Sequence, residues 1–421
     1  MFKTLKNAWG IPELRQKLIF TALILLLYRV GNVIPVPFVN VTALKTYFES
    51  TLSNTILGLY NAMSGSAFSM ATILALGIQP YINSSIIVQL LTIAIPALER
   101  LSKEGGEEGK KKINLITRCT TVGLGLLMGW AYYMMLSKSG YGIVTEDGFL
   151  AGLVIVLTFA AGSTVVMWLG EQITEHGIGN GISMILFANI ICRIPNGAAT
   201  VLSMKWYFMI MAVVGVAAIL LLIILVNDAE RRIPVQYAKR VVGRKVYGGQ
   251  STNLPIKVAM TGVMPVIFAQ SIASLPATIY AFAGLDTKGW WYKNIWSNEC
   301  WVYAVAYFLL IFFFSWFYAS IQYDPVEIAN NLKKNGGFVP GFRPGKPTAD
   351  FIHKVINKIV VFGAIYLGIV ALLPIIAGNI SGLSGLSIGG TSVIIVVSVA
   401  LETVKALEAQ MLMRHYKGFL D

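Results

Sequence analysis

The sequence predicts an all-α polytopic membrane protein, with ten transmembrane helices in two inverted five-helix halves. Three observations predict this fold class. The 421-residue chain has a mean hydropathy of +0.69, and 13% of its residues are charged, roughly half the charged share of a soluble protein. Its apolar residues fall into ten segments, most of them near the ~20 residues that a membrane helix needs. Its basic residues cluster in alternate connections between those segments.

The ten apolar segments predict the helices in chain order. They lie at about 18–38, 72–95, 113–136, 149–170, 180–192, 206–227, 258–284, 300–323, 359–376 and 391–411. No small-residue cleavage site follows the first segment, so it is interpreted as a retained span and not as a removed signal peptide. The fifth segment is short, and glycines loosen its start, so we expect it to be tilted or buried among other helices.

The basic residues predict the orientation. Most of the 33 Lys and Arg residues lie on the cytoplasmic side if both termini are cytoplasmic. Two cytoplasmic loops are then long, at about 228–257 and 324–358, and so is an outer loop at about 39–71. Residues 53–71 of that outer loop are too short and too rich in Ser, Gly and Ala to span. This stretch is a surface helix or a re-entrant piece, and backbone at membrane depth needs protein or water around it.

A short internal echo favours two related halves, 1–204 and 205–421. The second segment of each half contains G-x-x-P-x-I, at 77–82 and at 262–267. Because each half has an odd number of spans, repeats of this kind must be inverted in the membrane. Interrupted helices at matched positions point to a translocation path.

The side chains of an enzyme are missing from the predicted spans. His176, His353 and His415 fall in loops or the tail, no Asp lies inside a span, and Glu402 lies toward the inner end of the last one. The three cysteines, Cys119, Cys192 and Cys300, have no metal-like spacing. No ATP-binding loop is present in the sequence. We therefore expect no enzymatic activity, no metal and no cofactor.

Six stretches, taken in order, carry a family resemblance. They are 29–37 (RVGNVIPVP), 76–90 (LGIQPYINSSIIVQL), 170–183 (GEQITEHGIGNGIS), 250–258 (QSTNLPIKV), 338–345 (FVPGFRPG) and 389–397 (GGTSVIIVV). The ordered set resembles the SecY/Sec61-alpha family of protein-conducting channel subunits over the whole chain. The resemblance implies two halves around an hourglass pore. It also implies passage of unfolded secretory polypeptides and lateral release of membrane helices into lipid.

Carried over motif by motif, the resemblance implies a ring of apolar side chains at the narrowest point of the pore. The ring residues are Ile78, Ile82, Leu186, Ile190, Ile267 and Ile395. Leu186 departs from the usual isoleucine. Branched apolar side chains make a constriction that dewets and resists ions. The resemblance also identifies residues 53–71 as a plug, with Ser53, Asn54, Ile56, Leu57, Ser64, Gly65 and Ser66 among its residues.

A lateral gate is implied between the second and third spans and the seventh and eighth. Its candidate residues are Asn83, Gln89, Gln270 and Leu275, whose polar members can bond across the closed seam or simply join helices. Arg29 is assigned a structural role, in which it snorkels or pairs with backbone carbonyls.

The basic cytoplasmic loops are implied to dock the ribosome and the SecA motor ATPase. The candidate residues are Arg231, Arg232, Lys239, Arg240, Arg244, Lys245, Lys333, Lys334, Arg343 and Lys346. Positive charge also simply keeps loops inside. Arg343 is singled out because Gly-Phe precedes it and Pro-Gly follows it. The further partners implied are SecE, SecG, signal peptides and membrane lipid, at a bacterial cytoplasmic membrane.

Three other functions stay open on the residues alone. A secondary solute transporter of the inverted-repeat type is the main alternative, although intramembrane carboxylates are scarce. A membrane insertase or scaffold without a pore is the second. A membrane enzyme is the third, and it lacks residues for the chemistry.

Overall fold

A computed structural model describes most of the chain. The described residues are 2–49, 56–103, 105–138, 141–146, 148–195, 206–237, 240–242, 245–247, 251–260, 262–282, 300–381 and 390–417. Helices dominate them, as predicted, and a helix lies over each of the ten predicted apolar segments.

The first half contains nine helices among the described residues. They are α1 (Phe2–Trp9), α2 (Pro12–Gly31), α3 (Val41–Tyr47), α4 (Ile56–Met63), α5 (Gln79–Ala94), α6 (Pro96–Lys103), α7 (Gly106–Lys138), α8 (Phe149–His176) and α9 (Gly181–Ile191). The second half contains six. They are α10 (Trp206–Asp228), α11 (Met264–Phe282), α12 (Trp301–Gln322), α13 (Pro325–Lys334), α14 (Lys346–Ser381) and α15 (Gly390–Lys417).

Four of these helices are individually long and apolar enough to cross a membrane. They begin at Gly106, Phe149, Trp301 and Lys346. Helices α5 and α6 together meet the same requirement, but they are bent by 105°. Pro96 explains the bend, because proline removes a backbone donor and clashes with the preceding turn. Helix α9 and the apolar parts of α10 and α11 are shorter.

Several helix boundaries differ from the sequence prediction. Helix α2 ends at Gly31, before Pro35 and Pro37, and not near residue 38. The residues that follow α2 pair instead with the start of the second apolar segment: the Val36 amide donates to the Ala71 carbonyl at 2.9 Å. Helix α5 accordingly begins only at Gln79 and not near residue 72. Helix α14 is longer than predicted, because its amphipathic first turns, which start at Lys346, precede the apolar segment in the chain.

The loops that are predicted to be cytoplasmic contain a small sheet that the sequence analysis missed. Strand β1 (Glu230–Tyr237) pairs antiparallel with β4 (Ser251–Lys257) and with the short β5 (Gly337–Phe338). Between them, β2 (Arg240–Val242) and β3 (Lys245–Tyr247) form a separate hairpin. The alternation of buried Ile233 and Val235 with exposed neighbours was the available signal.

The two halves meet through the main core. Helix α9 packs on α15 at one side, and α11 contacts α4, α5 and α7 at the other. A second cluster packs the sheet on the start of α14, with Ile233, Ile256, Ile352 and Ile356 at its centre. The arrangement leaves the middle of the molecule enclosed by helices from both halves.

Candidate pore ring and plug

The six predicted ring residues all belong to the main hydrophobic cluster. Helix α5 supplies Ile78 and Ile82, α9 supplies Leu186 and Ile190, α11 supplies Ile267 and α15 supplies Ile395. Ile78 is the residue that immediately precedes α5. None is more than 7% exposed. Four helices, two from each half, therefore contribute to one buried apolar cluster at the meeting point of the halves.

Matched backbone turns set where two of these helices begin. Gly77 has φ +53° and Gly262 has φ +60°, and each lies two residues before the first residue of its helix. Glycine reaches this left-handed region at no steric cost, unlike other residues. Pro80 and Pro265 follow in the first turn, where a missing N–H costs nothing. The sequence echo thus corresponds to a repeated turn that positions Ile82 and Ile267.

A side-chain cap positions the third ring helix. The Asn180 Oδ1 atom accepts hydrogen bonds from the backbone amides of Ile182 at 3.0 Å and Ser183 at 3.3 Å. This satisfies two of the amides that have no partner at a helix N-terminus. Helix α9 then places Leu186 and Ile190 one turn apart on the same face.

A cavity of about 200 Å³ lies against the ring. Leu186, Ile267 and Ile395, from three different helices, line it together with polar residues of the predicted cytoplasmic side. Those polar residues are Asn180, Ser183, Gln322 and Glu402. A cavity that combines these polar residues with three apolar ring residues is what a funnel ending in a constriction requires.

The predicted plug segment lies at the same core. Ser53 and Asn54 are outside the described residues, and Ile56 begins α4. Leu57 and Ser64 are buried, at 2% and 5% exposure. Gly65 and Ser66 follow with φ +65° and +74°, so the chain turns sharply as it leaves α4. The described part of the segment, from residue 57 onward, is therefore packed inside the protein.

The end of the plug is bound through consecutive main-chain carbonyls. The Asn189 side chain donates to the Met63 carbonyl at 2.8 Å, and the Asn32 side chain donates to the Ser64 carbonyl at 3.4 Å. Arg29 Nη1 donates to the Gly65 carbonyl at 3.4 Å, which agrees with the carbonyl pairing expected for this arginine. Asn189 also donates to the Tyr28 hydroxyl at 2.8 Å.

Two glutamines contact the plug through a sulfur atom. The Gln79 Nε2 atom lies 3.2 Å from the Met63 Sδ, and the Gln270 Nε2 atom lies 3.6 Å from it. Gln79 and Gln270 come from α5 and α11, the two helices with matched starts. The plug therefore joins both halves. Sequence reasoning placed Gln270 at the lateral gate and missed Gln79 and Asn189, since a lone amide in an apolar helix gives no hint of its partner.

The candidate gate residues occupy the α5–α11 side of the molecule. Asn83 and Gln89 are half-buried on α5, whereas Leu275 on α11 is 45% exposed. Gln270 is buried, at 5% exposure, and its amide nitrogen contacts the plug, not a polar group of α5. Among the described residues, no hydrogen bond joins Asn83 or Gln89 to Gln270. The expected polar bond across the seam is thus replaced here by contacts of both helices with Met63.

The described candidate docking residues are exposed on the loops that are predicted to be cytoplasmic. Arg231 and Arg232 lie near the start of β1, and Arg232 pairs with Glu230 at 2.8 Å. Lys333 and Lys334 end α13, Arg343 lies between β5 and α14, and Lys346 is the first residue of α14. Lys239 and Arg244 are outside the described residues, and so are the side chains of Arg240 and Lys245 in the β2–β3 hairpin.

The backbone around Arg343 is fixed. The Arg343 carbonyl accepts a hydrogen bond from the Thr348 hydroxyl at 2.8 Å, and Phe342 stacks on Phe351 at 4.3 Å. Gly341 and Gly345 flank it with φ +87° and +105°. Arg343 is therefore an exposed cation on a turn that a hydrogen bond and an aromatic stack hold in place.

Comparison with known proteins places these features in a family. The family model for SecY matches residues 72–404. A protein translocase subunit SecY of Streptomyces scabiei is 43% identical over 440 residues, covering 100% of both chains. That of Thermotoga maritima is 41% identical over 435 residues, covering 100% of this chain and 98% of its own.

Solved structures share the fold. A protein-conducting channel aligns with a TM-score of 0.67 at 19% identity, over 94% of this chain and 92% of its own. A SecY structure whose plug domain is described as stabilising the closed state aligns at 0.65 and 19%, with the same coverage. Sec61 from a canine ribosome–channel complex aligns at 0.61 and 16%, over 94% and 92%.

Proposed function

This chain belongs to the SecY family, and we propose from that membership that it is the channel subunit of a protein translocase. It passes unfolded secretory polypeptides across the membrane and releases membrane-protein helices sideways into lipid. The observation that carries the proposal is the burial of six apolar residues from four helices in one hydrophobic cluster, where three of them line one cavity and the plug segment packs in the same cluster. The relatives are translocase subunits, and nothing in the comparisons supports the solute-carrier alternative.

The ring residues are proposed to form the gasket of the channel. Apolar branched side chains exclude water and ions when the channel is empty. They fit around an extended chain without hydrogen-bonding to its side chains, so they do not select one client over another. The plug completes the seal at rest, and its removal opens the path through the ring.

The side where α5 and α7 meet α11 is proposed to be the lateral exit. Asn83, Gln89, Gln270 and Leu275 lie on the two helices that would separate there. A signal helix that inserts between them replaces helix–helix contacts with its own apolar surface. Because TM helix pairs gain little from the hydrophobic effect inside lipid, such an exchange is energetically close to balanced.

The chain is proposed to perform no covalent chemistry. No cluster of three metal-binding side chains is found in the described residues. The energy for transport is supplied by partners: the SecA motor ATPase or the ribosome on the cytoplasmic loops, with SecE and SecG as fellow subunits. The exposed basic residues around Arg343 and β1 suit ribosomal RNA phosphates.

The proposed location is the bacterial cytoplasmic membrane, with both termini inside. The halves 1–204 and 205–421 are proposed to be inverted repeats. The left-handed glycines at equivalent positions 77 and 262 support this division. So does the supply of two ring helices by each half.

Site-specific cross-linking during export tests the proposal. A photoreactive residue is placed at Ile82 or Ile267 of the ring, and in the control at Ile369, which is 51% exposed on α14. A secretory chain is then stalled in transit. We expect cross-links from both ring positions and none from the control. Silence from both ring positions, in a folded complex with its partners bound, would overturn the channel function.

A further inference from the structure

The polar side chains that surround residues 63–65 bind the main chain of the plug there. Asn189, Asn32 and Arg29 bind three successive main-chain carbonyls, those of Met63, Ser64 and Gly65. Two further amides, those of Gln79 and Gln270, contact the Met63 side chain through its sulfur. Every polypeptide has main-chain carbonyls, so the three hydrogen bonds to carbonyls do not depend on the sequence of the plug.

Four of the surrounding amide groups have unused hydrogen-bonding capacity. We name Asn32, Gln79, Asn189 and Gln270 the carboxamide girdle. Each is at least nine-tenths buried. In each, the side-chain oxygen has no hydrogen-bond partner among the described residues. A carboxamide carries two N–H donors and one acceptor oxygen, and buried polar atoms are nearly always paired. Four buried side-chain oxygens without a partner therefore surround one segment, and a ligand that donates hydrogen bonds would satisfy them.

The girdle lies directly beside the ring. Gln79 follows Ile78, Asn189 precedes Ile190, and Gln270 lies one helical turn after Ile267. Three of the ring helices thus carry one girdle amide each, and Asn32 at the end of α2 supplies the fourth. A chain that crosses the ring must displace residues 63–65 and then pass these groups.

We propose that Arg29 and the carboxamide girdle form a binding site for the main chain of an extended polypeptide. At rest, residues 63–65 occupy the site. During export, the main chain of the client replaces them. This proposal rests on the proposed channel function and adds a site to it. The resting plug thus occupies the site with the same kind of main-chain groups that the client presents during export.

An extended client matches the girdle better than the plug does. A strand presents carbonyl and N–H groups alternately on its two sides. Its carbonyls take over the donors that Met63 and Ser64 release, and its N–H groups reach the orphan oxygens. The site recognises no side chain of the client, so it binds any polypeptide sequence that is unfolded and extended.

The test measures how long a stalled client stays in the channel. The intact complex is reconstituted in vesicles, a client is stalled in transit, the energy source is removed, and the half-life of backward sliding is followed. Asn189→Leu removes an amide with little change in size, and Asn32→Leu is a second, independent variant. Thr121→Val is the matched control, because it deletes another fully buried polar group away from the girdle.

We expect each girdle variant to shorten the half-life about fivefold, the size expected for one lost hydrogen bond. Thr121→Val should leave the half-life unchanged. If Asn189→Leu fails to accumulate, Asn32→Leu gives the same measurement.

A second measurement changes the client and leaves the channel intact. A client whose stalled stretch has main-chain esters in place of amides lacks N–H donors there and has weaker carbonyl acceptors. We expect it to slide back faster through the unchanged channel, and we expect Asn189→Leu to have a smaller further effect on it than on the amide client. Loss of additivity of this kind identifies two groups that contact each other.

Two results would overturn the site. One is an unchanged half-life in both girdle variants alongside a raised resting ion leak, which means that the amides hold only the plug. The other is equal sliding of ester and amide clients. A failure of the unaltered complex to move any client is a separate result, since it overturns the proposed function itself.

Discussion

Gly65 lies where the plug backbone meets Arg29 and Asn189, at a left-handed φ that favours glycine. A Cβ atom at this position would lie 2.7 Å from Arg29 Nη1 and 2.9 Å from Asn189 Oδ1. Both distances are too short, so the two side chains would have to move. The backbone φ of +65° adds a strain of about 1–2 kcal/mol for any residue with a Cβ.

Gly65→Ala should therefore weaken the seal of the resting channel. We expect a raised ion leak from vesicles that contain the variant, because Arg29 and Asn189 lose their carbonyl partners. Gly142→Ala is the control: Gly142 has φ +61°, yet no atom lies within 4 Å of its added Cβ. Both variants should lose similar stability, and only Gly65→Ala should leak. Equal leaks from the two would mean that strain alone, and not the plug contact, matters.

At this scale the sequence predicted some partners and not others. Arg29 was predicted either to snorkel or to pair with carbonyls, because a cation in an apolar span must find water or acceptors, and its side chain donates to the Gly65 carbonyl. The ring residues, assigned from their motifs, all belong to the main buried cluster, and their role as a ring stays a prediction. Asn189 was missed, since its partners are 126 and 161 residues away in the sequence. Ser53 and Asn54 lie outside the described residues, so their placement in the plug stays a prediction.

On the predicted cytoplasmic side, the sheet and the turn that carries Arg343 both pack against the start of α14. Strand β1 continues from α10, and its buried Ile233 packs with Ile352 and Ile356 at the start of α14. The turn that carries Arg343 leads into the same helix, held by the Thr348 hydroxyl. A partner that binds the turn therefore contacts a surface with a rigid connection to α14.

Arg343→Ala should weaken the binding of the ribosome or the motor ATPase. We expect about a tenfold loss of affinity at low salt, the lower end of the range for one lost hydrogen bond to a charged group, and a smaller loss as salt rises. Binding to the reconstituted complex measures it at several salt concentrations. Arg15→Ala is the control, because Arg15 is also exposed and basic but lies in the N-terminal arm. An equally large loss of affinity in Arg15→Ala would mean that Arg343 acts only through the overall positive charge of the protein.

The elements differ from their predicted bounds for identifiable reasons. Hydropathy marks apolar residues but not backbone turns, so the prediction ran α5 back to residue 72, through the left-handed Gly77. It also missed the sheet, because exposed basic residues in β1 hide the alternation of Ile233 and Val235. Prolines gave usable signals, since Pro35 and Pro96 stand where α2 has ended and α5 bends.

The whole molecule was predicted through its periodicity and its charge. The ten apolar segments each coincide with a helix, and the family is the one that the motifs indicated. How the halves contact each other could not be predicted, because those contacts depend on residues far apart in the chain. The orientation of the termini remains a prediction, since only a membrane distinguishes the two sides.

Labelling from each side of the membrane tests that orientation. In a chain whose three native cysteines are replaced, Lys333→Cys should react with an impermeant thiol reagent from the cytoplasmic side. Lys45→Cys on α3 should react from the outer side, because the two exposed positions lie in loops of opposite predicted side. Reaction of both from the same side would contradict the ten-span topology.

The paired glycines before α5 and α11 have a mechanical consequence. Gly77 and Gly262 are equivalent pivots in halves that are proposed to be inverted, and each precedes a helix that carries a ring residue. Helices that swing from such pivots move in opposite directions by similar amounts. We expect the pore to widen symmetrically about a fixed centre. A translocating polypeptide would then stay on the pore axis while the pore diameter adapts to its width.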